Sequence, residues 1–246
     1  MSEHYFEFRD VSIAFGEQDV LKDVSFFVNQ GETAVILGRS GVGKSVSLKL
    51  LLGFLKPDEG RIIVAGEDVT GFTENQFAQI RRRVTMVFQS GALFDSLTVA
   101  ENVAFPLEGR GLDQEAIDGR VKELLQTLEV TDFADRLPSD LSTGTKRAVA
   151  IARALAEDPE AILYDEPTTM VDPIMSGHLS DLMLRLKKQL GLTSIVVTHD
   201  LDLMYKVADQ VVFLFEGRVI FFGPPADLAK SDHPHVREFL EMDRVA

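Results

Sequence analysis

The chain has 246 residues, 45% of them apolar and none of them cysteine. This length suits one domain or one core with an inserted subdomain. Without cysteine, neither a disulfide nor a cysteine-ligated metal site is possible. The net charge of −14 argues against a broad nucleic-acid surface, which needs clustered lysine and arginine. The polar N-terminus "MSEHYFEFRD" lacks the pattern of a signal peptide, and no run approaches the ~18 apolar residues that cross a bilayer, so we expect a protein that is soluble or held at a membrane by a partner.

Three stretches in the first quarter of the chain predict antiparallel strands. They are "FEFRDVSIAFG", "VLKDVSFFV" and, at 61–66, "RIIVAG". Four continuous apolar runs, bounded by turn residues and separated by helical segments, predict buried parallel strands of an α/β sheet. These runs span residues 33–38, 160–166, 193–200 and 210–217. The last run continues as "VVFLFEGRVIFFG", which predicts a hairpin that turns at Glu216 and Gly217.

Helical spacing of apolar residues begins after the first of these runs and dominates the middle of the chain. It covers residues 44–55, 114–130 and 176–190. Between about residues 90 and 157 the strand-like runs disappear, which predicts a helical subdomain inserted into an α/β core formed by 1–89 and 158–246. The basic cluster "QIRRRV" at 79–84 is interpreted as an exposed helix end and not as a nucleic-acid patch.

The segment "GRSGVGKS" fits the phosphate-loop pattern G-x-x-x-x-G-K-[ST] at every position and stands between a predicted strand and a predicted helix. Its residues are Gly38, Arg39, Ser40, Gly41, Val42, Gly43, Lys44 and Ser45. The glycines allow successive backbone N–H groups to surround phosphate oxygens, and the helix N-terminus adds its positive dipole. Lys44 is predicted to reach the β- and γ-phosphates of a nucleotide, and Ser45 to ligate Mg²⁺.

A second motif, "AILYDEP" at 161–167, is an apolar strand that ends in two carboxylates. Charges at the end of a buried strand cost free energy unless they have partners, so a pair of them points to a bound group or a function. We predict that Asp165 holds Mg²⁺ and that Glu166 accepts a proton from an attacking water, a role worth about 10²- to 10⁴-fold in rate. The alternative is a purely structural one, in which the acidic pair caps the next helix.

With both motifs present, the chain resembles the nucleotide-binding subunits of ATP-binding cassette (ABC) transporters over nearly its whole length. The resemblance implies a P-loop NTPase (RecA-like) α/β core with a mostly parallel sheet, an N-terminal antiparallel β subdomain and an inserted α-helical subdomain. It also implies an ATPase that uses ATP and Mg²⁺. Phe15 corresponds to the adenine-stacking aromatic residue and Gln89 to the glutamine that contacts Mg²⁺ and water. Asp172 lies on the loop that crosses between subunits, and His199 corresponds to the γ-phosphate histidine.

The segment "LSTGT" at 141–145 resembles the family signature, which is usually LSGGQ. Ser142 and Gly144 match it and, at a helix start, are suited to receive a phosphate. Thr143 and Thr145 depart from it. If Thr143 required a positive φ, the substitution would cost about 1–2 kcal/mol, whereas a helical backbone there would cost little. We expect the signature to function in this altered form.

The resemblance also implies partners. Two copies of the chain would form a head-to-tail sandwich in which the phosphate loop of one and the signature of the other hold each ATP. A separate membrane permease would bind a groove near Gln89, with Leu93, Phe94 and Phe105 as candidates for the contact patch. Such a subunit works at the cytoplasmic face of the inner membrane, with no role for nucleic acid.

The subfamily is indicated by "FQSGALFDSLTVAENVAFPL" at 88–107 and by "HPHVREFLEMD" at 233–243. Both resemble the maintenance-of-lipid-asymmetry type of phospholipid-trafficking ATPase, which works with permeases and with lipid-binding proteins of the mammalian-cell-entry class. The resemblance implies a lipid substrate moved between bacterial membranes.

Three alternatives remain at this point. An importer of amino acids or other small solutes would share every catalytic residue. A soluble cassette protein of DNA repair or the ribosome is disfavoured by the single set of motifs, the acidic charge and the lack of a heptad run. A non-hydrolysing regulatory subunit is disfavoured by the presence of Glu166 and His199.

Overall fold

The computed structural model describes residues 4–243. The strands are β1 His4–Phe15, β2 Gln18–Asn29, β3 Thr33–Leu37, β4 Glu59–Val64, β5 Glu67–Asp68, β6 Val84–Val87, β7 Ala161–Asp165, β8 Thr193–Thr198, β9 Gln210–Phe215 and β10 Arg218–Gly223. The helices are α1 Lys44–Leu51, α2 Glu74–Arg83, α3 Val99–Ala104, α4 Gln114–Thr127, α5 Thr143–Leu155, α6 Pro173–Leu190, α7 Leu201–Val207, α8 Pro225–Leu228 and α9 Pro234–Asp243. Within this part of the chain no helix combines the length and the apolar character needed to span a membrane.

The central sheet has six strands in the order β10-β9-β3-β8-β7-β6. The strands from β9 to β6 are parallel, and β10 returns antiparallel to β9. Every residue of β3, β7 and β8 is buried, as expected for continuous apolar strands that are covered on both faces. The four predicted parallel strands and the final hairpin are confirmed. Strand β6, only four residues long, was not predicted because so short a run directly after a basic helix end carries little periodic signal.

The second sheet is antiparallel, in the order β2-β1-β4-β5. It confirms the predicted N-terminal strands, and β1 and β2 each extend over 12 residues. Successive side chains of the central strands point to opposite faces. Ala34 and Ile36 face a core shared with this second sheet and α1. Val35 and Leu37 face a core built with the helices of the other side.

Residues 88–160, all of which are described, contain α3, α4, α5 and short 3₁₀ turns but no strand. This agrees with the helical periodicity of that region, while the subdomain boundaries at 90 and 157 stay a prediction. Two helices end earlier than their apolar spacing indicates. Helix α1 stops at Leu51, followed by Gly53 with φ +70°, and α4 stops at Thr127, followed by Glu129 with φ +58°. Helix α6 starts earlier than predicted, at Pro173, since Asp172 caps it.

Candidate active site

The phosphate loop follows β3 at the carboxyl edge of the central sheet, where ligands bind in open α/β sheets. Gly38 has φ +152°, and a Cβ there would lie 2.5 Å from the Leu214 carbonyl oxygen. Gly43 has φ +103°, and a Cβ there would lie 2.6 Å from a methyl group of Leu21. Only glycine fits at these two positions, so the loop can turn tightly from the strand into α1, which begins at Lys44.

Lys44 and Ser45, the first residues of α1, connect this loop to the second motif. The Lys44 side chain is buried, and its Nζ donates to the carbonyl oxygens of Gly38 at 2.8 Å and Arg39 at 3.2 Å. The same Nζ lies 3.3 Å from Glu166 Oε1. Ser45 donates a hydrogen bond of 2.7 Å from Oγ to Asp165 Oδ1.

Asp165 is the last residue of β7 and is buried. Burial raises the pKa of its carboxyl group, the hydrogen bond from Ser45 opposes this shift, and the neighbouring charge of Glu166 reinforces it. The ionised carboxylate therefore costs free energy at this buried position, and a cation beside it would lower that cost.

The Glu166 carboxylate is held from both sides. Its Oε2 accepts a 2.9 Å hydrogen bond from the Thr169 hydroxyl and lies 2.9 Å from His199 Nδ1, while Oε1 faces Lys44. The backbone is left-handed, with φ +48°, and its N–H donates to the Val197 carbonyl oxygen at 2.8 Å. Neither Asp165 nor Glu166 caps the next helix, because Asp172 does so.

One cleft of about 480 Å³ brings half of the predicted site residues together. The predicted residues that line it are Phe15, Ser40, Gly41, Gly43, Lys44, Ser45, Gln89, Glu166 and His199, and Val20, Val46 and Thr169 lie among them. Phe15 ends β1 and is 49% exposed, which leaves its ring free to stack on a planar group. Gln89 is exposed, directly after β6 and the intervening Phe88.

Three phosphate-loop residues contribute mainly outside the cleft. Gly38 shapes the turn, and Val42 packs its side chain against the core shared with the second sheet. Arg39 extends to α9, where its Nη2 lies 2.7 Å from Glu238 Oε1. We infer that the loop is held to the C-terminal helix as well as to the sheet.

The signature segment and Asp172 lie away from this cleft, at the adjacent N-termini of α5 and α6. Ser142 caps α5 by accepting a 3.1 Å hydrogen bond from Thr145 N, and Asp172 caps α6 by accepting one of 3.0 Å from Met175 N. Thr143 is the first residue of α5 and has helical backbone, so the strain expected for a positive φ does not arise. A Cβ on Gly144 would lie 3.0 Å from Met175 Cβ; glycine is retained there because the two helices approach closely.

Sequence reasoning missed several residues that support the site. Thr169 orients Glu166, which lies three positions earlier in the chain. The pair of threonines directly after "DEP" was the sequence signal that could have identified this residue. Arg153 donates to the carbonyl oxygens of Ala92 at 2.8 Å and Gly91 at 3.2 Å. Arg147 donates to the Phe88 carbonyl oxygen at 3.3 Å. Arg147 ties α5 to the residue before Gln89 and Arg153 ties it to the segment after Gln89. Their place in an apolar helix face was a signal for such a role.

The side chains of the cleft, together with Asp165, which is hydrogen-bonded to Ser45, fit a magnesium nucleotide. The Ser45 hydroxyl and the Asp165 carboxylate are hard oxygen ligands of the kind that Mg²⁺ takes. Across residues 4–243 there is no group of three histidine, cysteine, aspartate or glutamate side chains that could hold a metal alone. Phosphate oxygens and water would therefore complete the shell, as is usual for Mg²⁺ at nucleotide sites. Lys44 and the N-terminus of α1 supply positive charge for the phosphates.

Comparisons with known proteins identify the family of the chain. The profile of the family described as ABC transporter matches residues 21–169. The intermembrane phospholipid transport system ATP-binding protein MlaF of Escherichia coli K12 is 36% identical over 236 residues, which are 96% of this chain and 88% of that protein. The probable ribonucleotide transport ATP-binding protein mkl of Mycobacterium leprae is 36% identical over 97% of this chain and 69% of its own length. Methionine import ATP-binding protein MetN 1 of Rhodococcus jostii is 37% identical over 97% of this chain and 72% of its own length.

Solved structures give the same result. The cassette cbiO1 from Clostridium perfringens superposes with a TM-score of 0.87 at 29% identity, covering 99% of this chain and 98% of that chain. The ATP-binding cassette MJ0796, in a dimeric post-hydrolysis state bound to ADP and phosphate, superposes with a TM-score of 0.81 at 32% identity, covering 89% of this chain and 98% of that chain. The chain therefore belongs to the ABC transporter family and is an ATPase subunit of such a transporter.

Proposed function

We propose that this cleft binds ATP with Mg²⁺ and that two copies of the chain, arranged head to tail, hydrolyse it to drive a membrane permease that moves phospholipid. The observation that carries the catalytic part is the Glu166 carboxylate, which is fixed between Lys44, Thr169 and His199. A carboxylate held this way at the edge of a phosphate loop is suited to take a proton from water.

Seven side chains in or beside the cleft have distinct parts in this proposal. Lys44 binds the β- and γ-phosphates, and Ser45, Gln89 and Asp165 hold Mg²⁺. When bound, ATP with Mg²⁺ supplies the phosphoryl group that is transferred to water. Glu166 accepts the proton of that water, while the Thr169 hydroxyl and His199 keep its Oε2 oriented.

Two observations support a shared site: no signature residue lines this cleft, and Thr145 lines a separate groove with Met175 of α6. A second copy in head-to-tail orientation would supply the signature residues in trans, together with Asp172. The similarity to a cassette solved as a dimer with ADP and phosphate supports this arrangement.

Complementation tests the shared site. Lys44→Ala and Ser142→Glu should each abolish ATP hydrolysis, the first by loss of phosphate binding and the second by placing a carboxylate against the phosphate. A mixture of the two variants contains heterodimers with one intact site, so part of the activity should return. If no mixing ratio restores activity although both variants are folded, the head-to-tail site is wrong.

The permease would bind the region near Gln89 and the proposed helical subdomain at 90–157. There the rings of Phe94 and Phe105 lie 4.5 Å apart, with exposed fractions of 42% and 46%. Leu93, the third residue of the predicted patch, is half-buried and packs against the helical core. We therefore assign the contact to the two phenylalanines, at the cytoplasmic face of the inner membrane.

Phospholipid is the proposed substrate because residues 88–107 resemble the lipid-trafficking subfamily and because MlaF aligns over 96% of this chain. The mkl and MetN 1 relatives are equally similar overall, so an importer of small solutes is the second candidate. The resemblance of residues 88–107 to the lipid-trafficking subfamily favours the first candidate, and we propose a mammalian-cell-entry-type lipid-binding protein as a further partner.

The substrate can be tested with the permease that co-purifies with this chain. The complex would be placed in vesicles, and both ATP hydrolysis and movement of the labelled candidate would be measured with phospholipid, methionine or a ribonucleotide. We expect ATP-dependent movement of labelled phospholipid that is lost with Glu166→Gln. Stimulation by methionine or ribonucleotide, without lipid movement, would assign the chain to a solute importer.

A further inference from the structure

We propose that Thr145 is a positioning residue for Ser142, so that a pair of hydroxyl groups, and not Ser142 alone, meets the phosphate of a nucleotide held by the second copy. The proposal rests on the head-to-tail site proposed above. It concerns a position where this chain departs from the usual family signature, since threonine stands in place of glutamine.

The two hydroxyl groups are directly bonded. Ser142 Oγ and Thr145 Oγ1 lie 2.8 Å apart, and Ser142 Oγ also accepts the backbone N–H of Thr145 at 3.1 Å. Each hydroxyl has one proton, and only one of the two protons can lie between the oxygens. The other proton must point out of the pair, where an acceptor-only phosphate oxygen could receive it.

Burial indicates which hydroxyl carries the outward proton. Ser142 is exposed, whereas Thr145 is half-buried and lines a groove of about 380 Å³ with Ala148 and Met175. When Thr145 donates to Ser142, the serine oxygen accepts two hydrogen bonds and its own proton faces solvent. A hydroxyl that accepts hydrogen bonds while donating one is polarised and becomes a stronger donor.

Threonine suits this role because its branched Cβ restricts χ1 within a helix. In helices its hydroxyl often bonds a carbonyl of the preceding turn, but here Oγ1 bonds the Ser142 side chain three residues earlier. Thr127, the last residue of α4, offers a matched control outside the signature. It is also a half-buried helical threonine, and its Oγ1 donates to the Glu123 carbonyl oxygen at 2.9 Å.

The test uses the full chain with Glu166→Gln as background, so that ATP is bound without turnover. Thr145→Val, Thr145→Ser and Thr127→Val would be compared by the ATP-dependent dimerisation constant and by ATP affinity of the monomer. Loss of one hydrogen bond predicts that Thr145→Val weakens the ATP-bound dimer about three- to tenfold, with monomer affinity within about twofold. Thr145→Ser should restore the dimer, and Thr127→Val should leave it unchanged.

A purely structural role gives a different result. Thr145→Val keeps the backbone N–H that donates to Ser142, so the cap of α5 is preserved. If Thr145 only stabilised the fold, Thr145→Val would lower the temperature of thermal unfolding without a selective effect on dimerisation. Dimerisation of Thr145→Val equal to that of the parent would overturn the inference. Ser142→Ala separates the two proposals: if it weakens the dimer and Thr145→Val does not, only the positioning role fails. If Ser142→Ala also has no effect, the head-to-tail site itself is wrong.

Discussion

The Lys44 ammonium group lies 3.3 Å from Glu166 Oε1 and joins the phosphate loop to the end of β7. This contact places the two oxygens of one carboxylate in different surroundings. Oε1 faces a cation that the proposed mechanism assigns to phosphate binding, and Oε2 faces Thr169 and His199. The contacts of Oε2 would persist when Lys44 engages a phosphate, so the base stays oriented while Oε1 becomes available to water.

Glu166→Gln should lower kcat for ATP hydrolysis by about 10²- to 10⁴-fold, since the amide cannot take a proton. ATP affinity should not fall, because Lys44 and the loop are retained. Steady-state hydrolysis and ATP titration measure the two quantities. Glu216→Gln is the matched control, being an exposed glutamate that also has a left-handed backbone. Hydrolysis at the parent rate in Glu166→Gln would exclude Glu166 as the base.

Asp165→Asn should stabilise the nucleotide-free protein at neutral pH while abolishing Mg²⁺-dependent hydrolysis. Burial raises the pKa of Asp165 in the folded state, so the folded protein binds this proton more tightly than the unfolded chain does. The contribution of Asp165 to the free energy of unfolding is then present at acid pH and is lost as pH rises through the folded-state pKa. Asparagine does not ionise, and its amide oxygen can still accept from Ser45.

Denaturant unfolding at several pH values would measure this effect. The gain in stability of Asp165→Asn over the parent should shrink as pH falls toward the ordinary aspartate pKa of about 4. Asp135→Asn, at an exposed position, is the control. A stability difference that does not change with pH would contradict the assignment of the effect to Asp165 ionisation.

The phosphate loop and the central strands could be predicted from sequence because both depend on local pattern. Gly38 and Gly43 mark a backbone that no other residue can adopt, and β3 is a continuous apolar run. Strand β6 lacked the length for such a signal. The contacts of Arg153 with the carbonyl oxygens of Gly91 and Ala92 depend on how α5 packs on a distant segment, which periodicity along the chain does not encode.

Gly144→Ala should destabilise the protein. The new Cβ would lie 3.0 Å from Met175 Cβ, which is fixed to the backbone of α6, so the two helices must separate. Overpacking of this kind costs about 1–3 kcal/mol, partly offset by the about 0.5–1 kcal/mol that alanine gains over glycine in a helix. Gly177→Ala in α6 is the control, since its Cβ would meet no atom within 4 Å. Equal free energies of unfolding for the two variants would refute the packing role of Gly144.

Phe94→Glu with Phe105→Glu should abolish binding of the permease while leaving the isolated ATPase within about twofold of the parent. The two rings form an exposed apolar pair, and two buried carboxylates without partners would cost several kcal/mol in an interface. Co-purification with the tagged permease, followed by ATPase assay of the free subunit, measures both effects.

Leu190→Glu, at a position 55% exposed at the end of α6, is the control for an added charge. Undiminished recovery of the permease with the double variant would place the docking surface elsewhere. The ATPase assay also detects damage to the fold: Phe94 lies 5.6 Å from the Arg153 guanidinium, so a rate more than about twofold below that of the parent would contradict a role for the two rings in docking alone.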